Sequence, residues 1–502
     1  MRVLKRAGAR VRYAFGRLFY TLAPRLYERW QAYRALKAAA KDRIYGKFVG
    51  SDSPNADIAD LPTVRFRANY LYQNDPFVRG AVDLIVNRAV GAGSTLQALT
   101  GRPEVNERFE KVWSQWCYEA DFYRQFHFGD LERLALLKLF TDGGVFFRIV
   151  PDARNMETSP ITLEVLEYSR LAPFGRVKGK NRIVSGVEID ESGRVVAYHF
   201  YSAPSDLALN RLESVRVPAD EVIHFSPFRR PGQLLGIPLL APAIPYAYHL
   251  AEILEAELIN AKVSASFGLV VKRNYPYQHV QSLPVNGGRR EFEIAPGMVE
   301  FLEPGEEIEV IDPKRPGNTF DDFVKIILRG IGRSIGLSYE QISGDKSEVN
   351  YSSTRHSELE LRDYLQPLRK AVERYFLRPV YLEFVHWGVQ LGALNAQGGI
   401  KDWRNWTAHR WIFKGYEWVD PQKEAKAKEL ELRLGLTTLA DEAAARGKDW
   451  RELIDQRARE IAYMNEKGLL DVTQASLRPD ALEAVDMWEN LLGGEKDGGE
   501  AE

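Results

Sequence analysis

Gly344-Asp345-Lys346-Ser347 is the stretch closest to nucleotide chemistry, since it imitates the end of a phosphate-binding loop. Such a loop needs Gly-Lys-Ser/Thr in direct succession, with another Gly five residues upstream, so that backbone N–H groups and the lysine converge on phosphate. Here Asp345 intervenes and sets a negative charge where a phosphate would sit, and residue 339 is Tyr. Gly91-Ala92-Gly93 follows a helical pattern rather than a strand, so it reads as a helix stop and turn. Neither HExxH nor GxSxG occurs. The eight histidines are scattered, and His199, His224 and His249 read as strand or helix residues rather than ligands. Carboxylates are plentiful, but they lie on amphipathic helices whose solvated faces account for them. The single cysteine, Cys117, excludes an intrachain disulfide and a Cys-rich zinc module, and fits a reducing compartment. No catalytic residue, metal or cofactor is expected.

Aromatic chemistry is the next candidate, because ten Trp and 23 Tyr could stack on nucleic-acid bases. Most fall at helical spacing, as Trp113 and Trp116 do, or in the cluster WRNWTAHRWIFKGYEW (403–418). That placement favours core or interface packing.

Charge narrows the classes further. The 502 residues carry 68 Lys plus Arg against 69 Asp plus Glu, a net of −1, which excludes a histone-like binder held on DNA by excess positive charge. The ends are polarised. Residues 1–48 hold 13 Lys or Arg against Glu28 and Asp42, and residues 464–502 hold 10 acids against Lys467, Arg478 and Lys496. The first suits an acidic partner surface or nucleic acid, and the second a solvated tail. No secretory signal is visible, because the first 30 residues scatter seven Arg through their apolar stretches. Residues 232–251 lack any Asp, Glu, Lys or Arg, yet Pro238, Pro242 and Pro245 argue against a membrane span.

The chain is long enough for about two to four domains. After a linker at 49–62 the pattern is helical, with Asp75 as N-cap and Pro76 at the first helical position of a helix ending at Gly91. Residues 104–120 and 128–142 read as two more helices. From 143 to 228 the period changes to two. GGVFFRIVP, ITLEVLEY, VSGVEIDESGRVVAYHF and VPADEVIHF read as strands, with a hairpin loop at Asp190–Gly193. A helix over 240–268 and another over 320–336, started by Thr319 and Asp322 at capping-box spacing, flank a β-like segment at 269–318. Lys325, Arg329 and Arg333 line one face of the second helix, Phe323, Ile327, Ile331 and Ile335 populate another, and Gly330, Gly332 and Gly336 permit close helix approach. Two slim helices bury too little of each other to be stable alone, which points to an oligomer. A polar loop follows. Then come a long helical stretch over 354–391 with Pro367 and Pro379 as kinks, and a helical last third with stops at Gly435 and Gly447 and a cap at Asp449.

Four segments, in order, carry a resemblance: DPFVRGAVDLIVNRAVGAG (75–93), RVPADEVIHFSPFRRPGQLLGIPLLAP (216–242), GLSYEQISGDKSEVNYSSTR (336–355) and GYEWVDPQKEAKA (415–427). Over roughly residues 60–465 the chain resembles the lambda-like family of phage portal proteins. The resemblance implies an α+β, mostly helical portal fold. It assigns 1–48 to a basic arm, 49–239 to a mixed α/β wing, 240–268 and 320–337 to a two-helix stem, and 269–319 to a small β-containing clip. The tunnel loop falls at 338–353, the long kinked wing helix and return at 354–419, a helical crown at 420–463 and an acidic tail at 464–502.

The implied function is a ring, typically a dodecamer, at one capsid vertex of the virion, assembled in the host cytoplasm. It passes double-stranded DNA during packaging and ejection. The implied partners are further copies of the chain, the terminase large subunit, major capsid and scaffold proteins, and head-completion or adaptor proteins, with no membrane. The DNA channel would be lined by Lys346, Ser347, Asn350 and Tyr351 of the tunnel loop and by Lys325, Arg329, Arg333 and Lys262 of the stem. Lys272, Arg273, Arg289 and Arg290 would serve docking at the clip. Balanced charge agrees with a passage, since a strongly basic bore would trap the duplex through counterion release. Two other classes are a ring-shaped nucleic-acid-processing enzyme or translocase, which needs a phosphate loop or an acidic metal cluster, and a membrane pore using 232–251.

Overall fold

The structure, a computed structural model, describes residues 53–155, 157–177, 179–202, 213–266, 270–273, 306–309, 320–347, 350–394, 399–416 and 421–467. The basic arm, Arg289, Arg290, most of the clip segment, Thr319 and the chain after residue 467 lie outside the described residues. The result is a mixed α/β architecture of helices with small sheets. It divides into two compact units, one drawn from Met1–Asp83, Leu139–Gly143 and Phe228–Leu361, the other from Leu84–Lys138, Gly144–Pro227 and Arg362–Glu502.

The chain opens with helices α1 (Leu61–Asn74) and α2 (Pro76–Ala89). Asp75 caps α2 as the sequence predicts, its Oδ1 accepting from the Val78 N–H at 2.9 Å, and Gly91 leaves the helix at φ +68°. After strand β1 (Thr95–Ala98) come α3 (Pro103–Trp116) and α4 (Phe128–Thr141). Helix α3 stops four residues short of the expected 120.

Strands β2 (Val145–Pro151), β3 (Ile161–Leu166), β4 (Arg182–Val184), β5 (Val187–Ile189), β6 (Val195–Tyr201), β7 (Ser214–Pro218) and β8 (Val222–Phe225) form two antiparallel sheets, ordered β3-β2-β8 and β4-β5-β6-β7. The β5–β6 hairpin turns through Asp190–Gly193, with the Asp190 N–H donating to the Arg194 carbonyl at 2.9 Å and Gly193 at φ +81°. VPADEVIHF is not one strand. Pro218 has no N–H to extend the ladder, so the chain makes a tight turn at Ala219–Glu221 and joins the other sheet as β8.

Helix α5 (Ile244–Ser266) leads to β9 (Val270–Arg273), which pairs antiparallel with β10 (Glu306–Glu309) before α6 (Phe320–Ile335). The expected polar loop at 338–353 is shorter than the sequence reading. A helical turn, α7 (Tyr339–Ser343), occupies part of it, and α8 (Tyr351–Val372) starts three residues early. Pro367 lies inside continuous α8. The break comes instead at a π-helical turn, Glu373–Leu377, followed by α9 (Arg378–Gln390). Pro379 explains that turn, because its ring crowds the carbonyl four residues earlier and offers it no N–H, and a wider turn relieves both defects. Strand β11 (His409–Ile412) pairs with β1, and α10 (Pro421–Arg433), α11 (Leu439–Ala445) and α12 (Trp450–Glu466) complete the described chain. Gly435 (φ +69°) and Gly447 (φ +74°) make the expected stops, and Asp449 caps α12 by accepting from the Arg451 N–H at 2.7 Å.

The second unit holds the larger apolar core. Trp113 sits 4.9–5.8 Å, centroid to centroid, from Trp116, Phe128, Tyr381, Phe384 and Trp411. The buried Trp116 Nε1–H donates to the Ile161 carbonyl at 2.9 Å. These tryptophans are therefore core. In the first unit, Arg65 of α1 donates to the carbonyls of Asp142 (2.9 Å) and Gly236 (3.2 Å). The uncharged run at 232–251 buries Leu234, Leu235, Leu240, Ala243 and Ile244, which accounts for its apolar composition. No helix among the described residues is long and apolar enough to cross a membrane.

Candidate functional site

Helix α6 decides where the candidate residues stand. Its period-four apolar stripe is laid down as read: Ile327, Ile331 and Ile335 are buried, although Phe323 is half-exposed. The three glycines divide their roles. Gly330 lets the Tyr246 ring of α5 approach, since a Cβ there would lie 3.0 Å from it. Gly332 and Gly336 instead end the helix. Gly336 turns at φ +81°, and the Leu337 N–H reaches back to the Gly332 carbonyl at 2.9 Å.

The three basic positions of α6 differ in environment. The Lys325 ammonium is 3.1 Å from Asp321 on the same helix, with its side chain mostly buried. Arg329 is exposed, its guanidinium 5.5 Å from the centre of the Tyr339 ring, and Arg333 is exposed. Lys262 on α5 is exposed.

Tyr339 draws these residues together with the loop. Its hydroxyl donates to Asp345 Oδ2 at 3.4 Å, and its carbonyl accepts from Ser343 Oγ at 2.7 Å. Helix α7 exists because the Gln341 side chain accepts from the Ser338 N–H at 3.0 Å and Gly344 closes the turn at φ +73°. Asp345 then accepts from the Ser347 N–H (2.9 Å) and hydroxyl (2.7 Å). These bonds hold its carboxyl below the usual range, with smaller help from Tyr339 and the charge of Lys325. The loop is thus a turn built on Asp345 that leaves Lys346 exposed.

Asn350 is a cap as well as a loop residue. Its Oδ1 accepts from the Ser353 N–H at 2.8 Å, while its own N–H donates to Ser353 Oγ at 3.1 Å. This reciprocal pair starts α8 at residue 351, and the Nδ2 group stays available as a donor. The Ser347 hydroxyl already donates to Asp345, so Lys346 and Asn350 are stronger hydrogen-bond donors than Ser347. The Tyr351 side chain lies outside the described residues. Of the clip candidates, Lys272 and Arg273 stand opposite Glu307 and Glu306 in the β9–β10 ladder. The sequence reading missed Tyr339 and Ser343. The Ser338-x-x-Gln341 spacing was the signal for their helix.

Chemically the cluster can offer cations and hydrogen-bond donors to an anion. Among the described residues no group of three or more His, Cys, Asp or Glu side chains is placed to hold a metal.

Comparison with known proteins gives three kinds of match. A family model described as "Phage portal protein, lambda family" matches residues 41–369. Similar curated proteins include a "Probable portal protein" of Halomonas phage phiHAP-1, 25% identical over 87% of this chain and 88% of that one. "Portal protein B" of Escherichia phage lambda is 21% identical over 83% and 87% of the two chains. Among solved structures, the neck of a native GTA particle computed with C12 symmetry aligns with a TM-score of 0.45 at 13% identity, covering 83% of this chain and 98% of that one.

Proposed function

The chain belongs to the lambda family of phage portal proteins, and from that membership we propose that it assembles into a closed ring, a dodecamer, at one capsid vertex of a virion. The ring is the conduit through which double-stranded DNA enters the head and later leaves it. Assembly takes place in the host cytoplasm alongside major capsid and scaffold proteins. The chain itself is not an enzyme, and the terminase large subunit drives the DNA.

The observation that carries this reading is the surface of the helix pair α5–α6. Leu254, Leu258 and Ile259 on α5 and Phe323 and Ile326 on α6 are exposed beside the buried Ile327–Ile331–Ile335 stripe. Five large apolar side chains on two slender helices form a surface that requires a neighbour. A head-to-tail interface that closes supplies one to every subunit. In such a ring α5 and α6 are the stem, the 344–350 turn faces the bore as the tunnel loop, α10–α12 are the crown, and the sheets with α8 and α9 are the wing. Closure turns each Lys346 into a circle of cations. That circle is sparse enough to let DNA slide, and it makes backbone contacts that carry no sequence information. The segment 269–319 is the clip, which docks terminase and then head-completion proteins.

Negative-stain imaging of the purified chain without detergent tests the proposal, together with an ATPase assay. A ring with a central hole and no turnover is expected. ATP hydrolysis that is lost on Lys346→Ala would overturn it in favour of a motor. Replacing 269–318 with a short Gly/Ser link should leave rings intact and abolish terminase docking.

A further inference from the structure

Helices α10–α12 leave more apolar surface open than any core of their own can close. Among described residues 425–467 only Ala443 is buried. Leu430, Leu434, Leu436 and Leu439 are at least half exposed. Helix α12 carries an apolar stripe at helical spacing through Ile454, Ala458 and Ile461, with Ile454 44% and Ile461 39% exposed. From Ile454 to Lys467 every described side chain except Met464 is exposed. A helix of this length gains most of its stability from packing one face, so this stripe calls for a cover.

The chain supplies a candidate directly downstream. Gly468 follows the last helical turn as a stop signal, and 35 residues continue from there. Within them Asp480 and Glu483 have capping-box spacing, and Leu482, Val485, Trp488 and Leu492 recur at helical spacing before Gly493-Gly494. Glu483 and Asp486 fall outside that face, and Glu489 lies at its edge. Twelve residues at helical rise reach about 18 Å, close to the length of α12 from Ile454 to Glu466. The fourteen residues from Lys467 to Asp480 are ample for a reversal between antiparallel partners.

We infer that residues 480–492 of the same chain cover the Ile454–Ile461 stripe of α12, so that the crown closes its apolar surface within one subunit. The inference does not depend on the ring reading, because the occupant belongs to the chain itself. A neighbouring copy is the competing occupant. Its signature would be protection that requires assembly.

The test is thiol labelling of the full-length chain carrying Ile461→Cys, compared with the same chain also carrying Trp488→Asp. Cys117 is buried, and the parent chain provides the background. In the unassembled, monomeric fraction the introduced thiol is expected to react at least about tenfold more slowly than in the Trp488→Asp background, because it reacts only on local opening. The same comparison at Ile454→Cys guards against a misfolded first variant. Fast labelling of the monomer at both positions, slowed only in assembled rings, would assign the cover to a neighbouring copy and overturn the inference. Fast labelling in monomer and ring alike would show that nothing covers the stripe and overturn it as well.

Discussion

The aromatic core around Trp113 and the helix pair α5–α6 are both rich in large apolar side chains, yet they complete themselves differently. Trp113, Trp116, Phe128, Tyr381 and Phe384 are all buried inside one chain, and the Trp116 N–H has its acceptor. In α5–α6, Leu258, Ile259, Phe323 and Ile326 are more than half exposed. The polar groups follow the same division. Glu188 is fully buried and takes hydrogen bonds from Asn181 (2.6 Å) and Arg216 (2.7 Å), with His199 at 3.0 Å. Burial alone would raise its pKa. The bonds from Arg216, Asn181 and His199 outweigh that and hold it at about 2. On α6, by contrast, Arg329 and Arg333 are exposed. One region is closed within the chain and the other leaves its apolar side chains exposed; if the second is the ring contact proposed above, substitutions in the two should fail in different assays.

The largest effect is expected at the centre of the finished region. Trp113→Ala removes a ring packed against five others and should cost about 3–5 kcal/mol of stability. Glu188→Ala should cost about 3–5 kcal/mol, because it leaves Arg216 in a partly buried site without its carboxylate. Denaturant unfolding of the unassembled chain measures both. A loss below 1 kcal/mol at either site would remove the contrast with the helix pair. Glu188 also predicts a pH dependence. Its folded value lies below the ordinary 4.5, so its stabilisation is complete above that value and is lost as pH falls toward about 2.

Glu132 has the opposite sign. It is fully buried, and burial raises it to about 8 against hydrogen bonds from the Ser94 N–H (3.0 Å) and hydroxyl (3.0 Å). Between its ordinary 4.5 and about 8 the folded chain keeps a proton that the unfolded chain releases, so stability declines as pH rises through that window. Glu132→Gln should abolish the decline, with a gain on the order of 5 kcal/mol at pH 9 relative to pH 5. Parallel pH dependence in parent and variant would refute this.

In the helix pair the stability effect should nearly vanish while assembly is lost. Leu258→Asp with Ile326→Asp should change the unfolding free energy of the unassembled chain by less than about 0.5 kcal/mol, as expected of exposed sites. Light scattering should nonetheless find no ring. A destabilisation above 1 kcal/mol would mean that these side chains are packed within one chain.

Legibility in the sequence follows the same division. Elements fixed by local chemistry were readable: the Asp75-Pro76 start, the Asp190–Gly193 hairpin, the Asp449 cap and the period-four isoleucines of α6. Features that depend on long-range partners were not. No local pattern announces that Gly330 accommodates the Tyr246 ring of α5. The loop at 338–353 is shorter than its polar composition suggests because two caps start helices within it, Ser338 with Gln341 and Asn350 with Ser353. The four site residues named there were placed by resemblance, and their spacing alone would have left them a solvated turn.

The smallest stability effect and the sharpest functional one are expected at Lys346. It is exposed at the tip of a turn held by Asp345 and Ser347, neither of which uses its side chain. Lys346→Glu should therefore leave unfolding free energy and ring formation unchanged within about 0.5 kcal/mol. In a ring, however, the change replaces a circle of cations with a circle of anions, beside carboxylates that are already ionised. Contact with the duplex backbone is Coulombic and salt-dependent, so packaging or retention of DNA should weaken in the variant. Screening predicts that the gap between variant and parent narrows as ionic strength rises. A variant that packages like the parent at every salt concentration, or a ring structure with Lys346 on its outer surface, would remove the 344–350 turn from the bore. The exposed helix pair would then remain an assembly surface with no part in holding DNA.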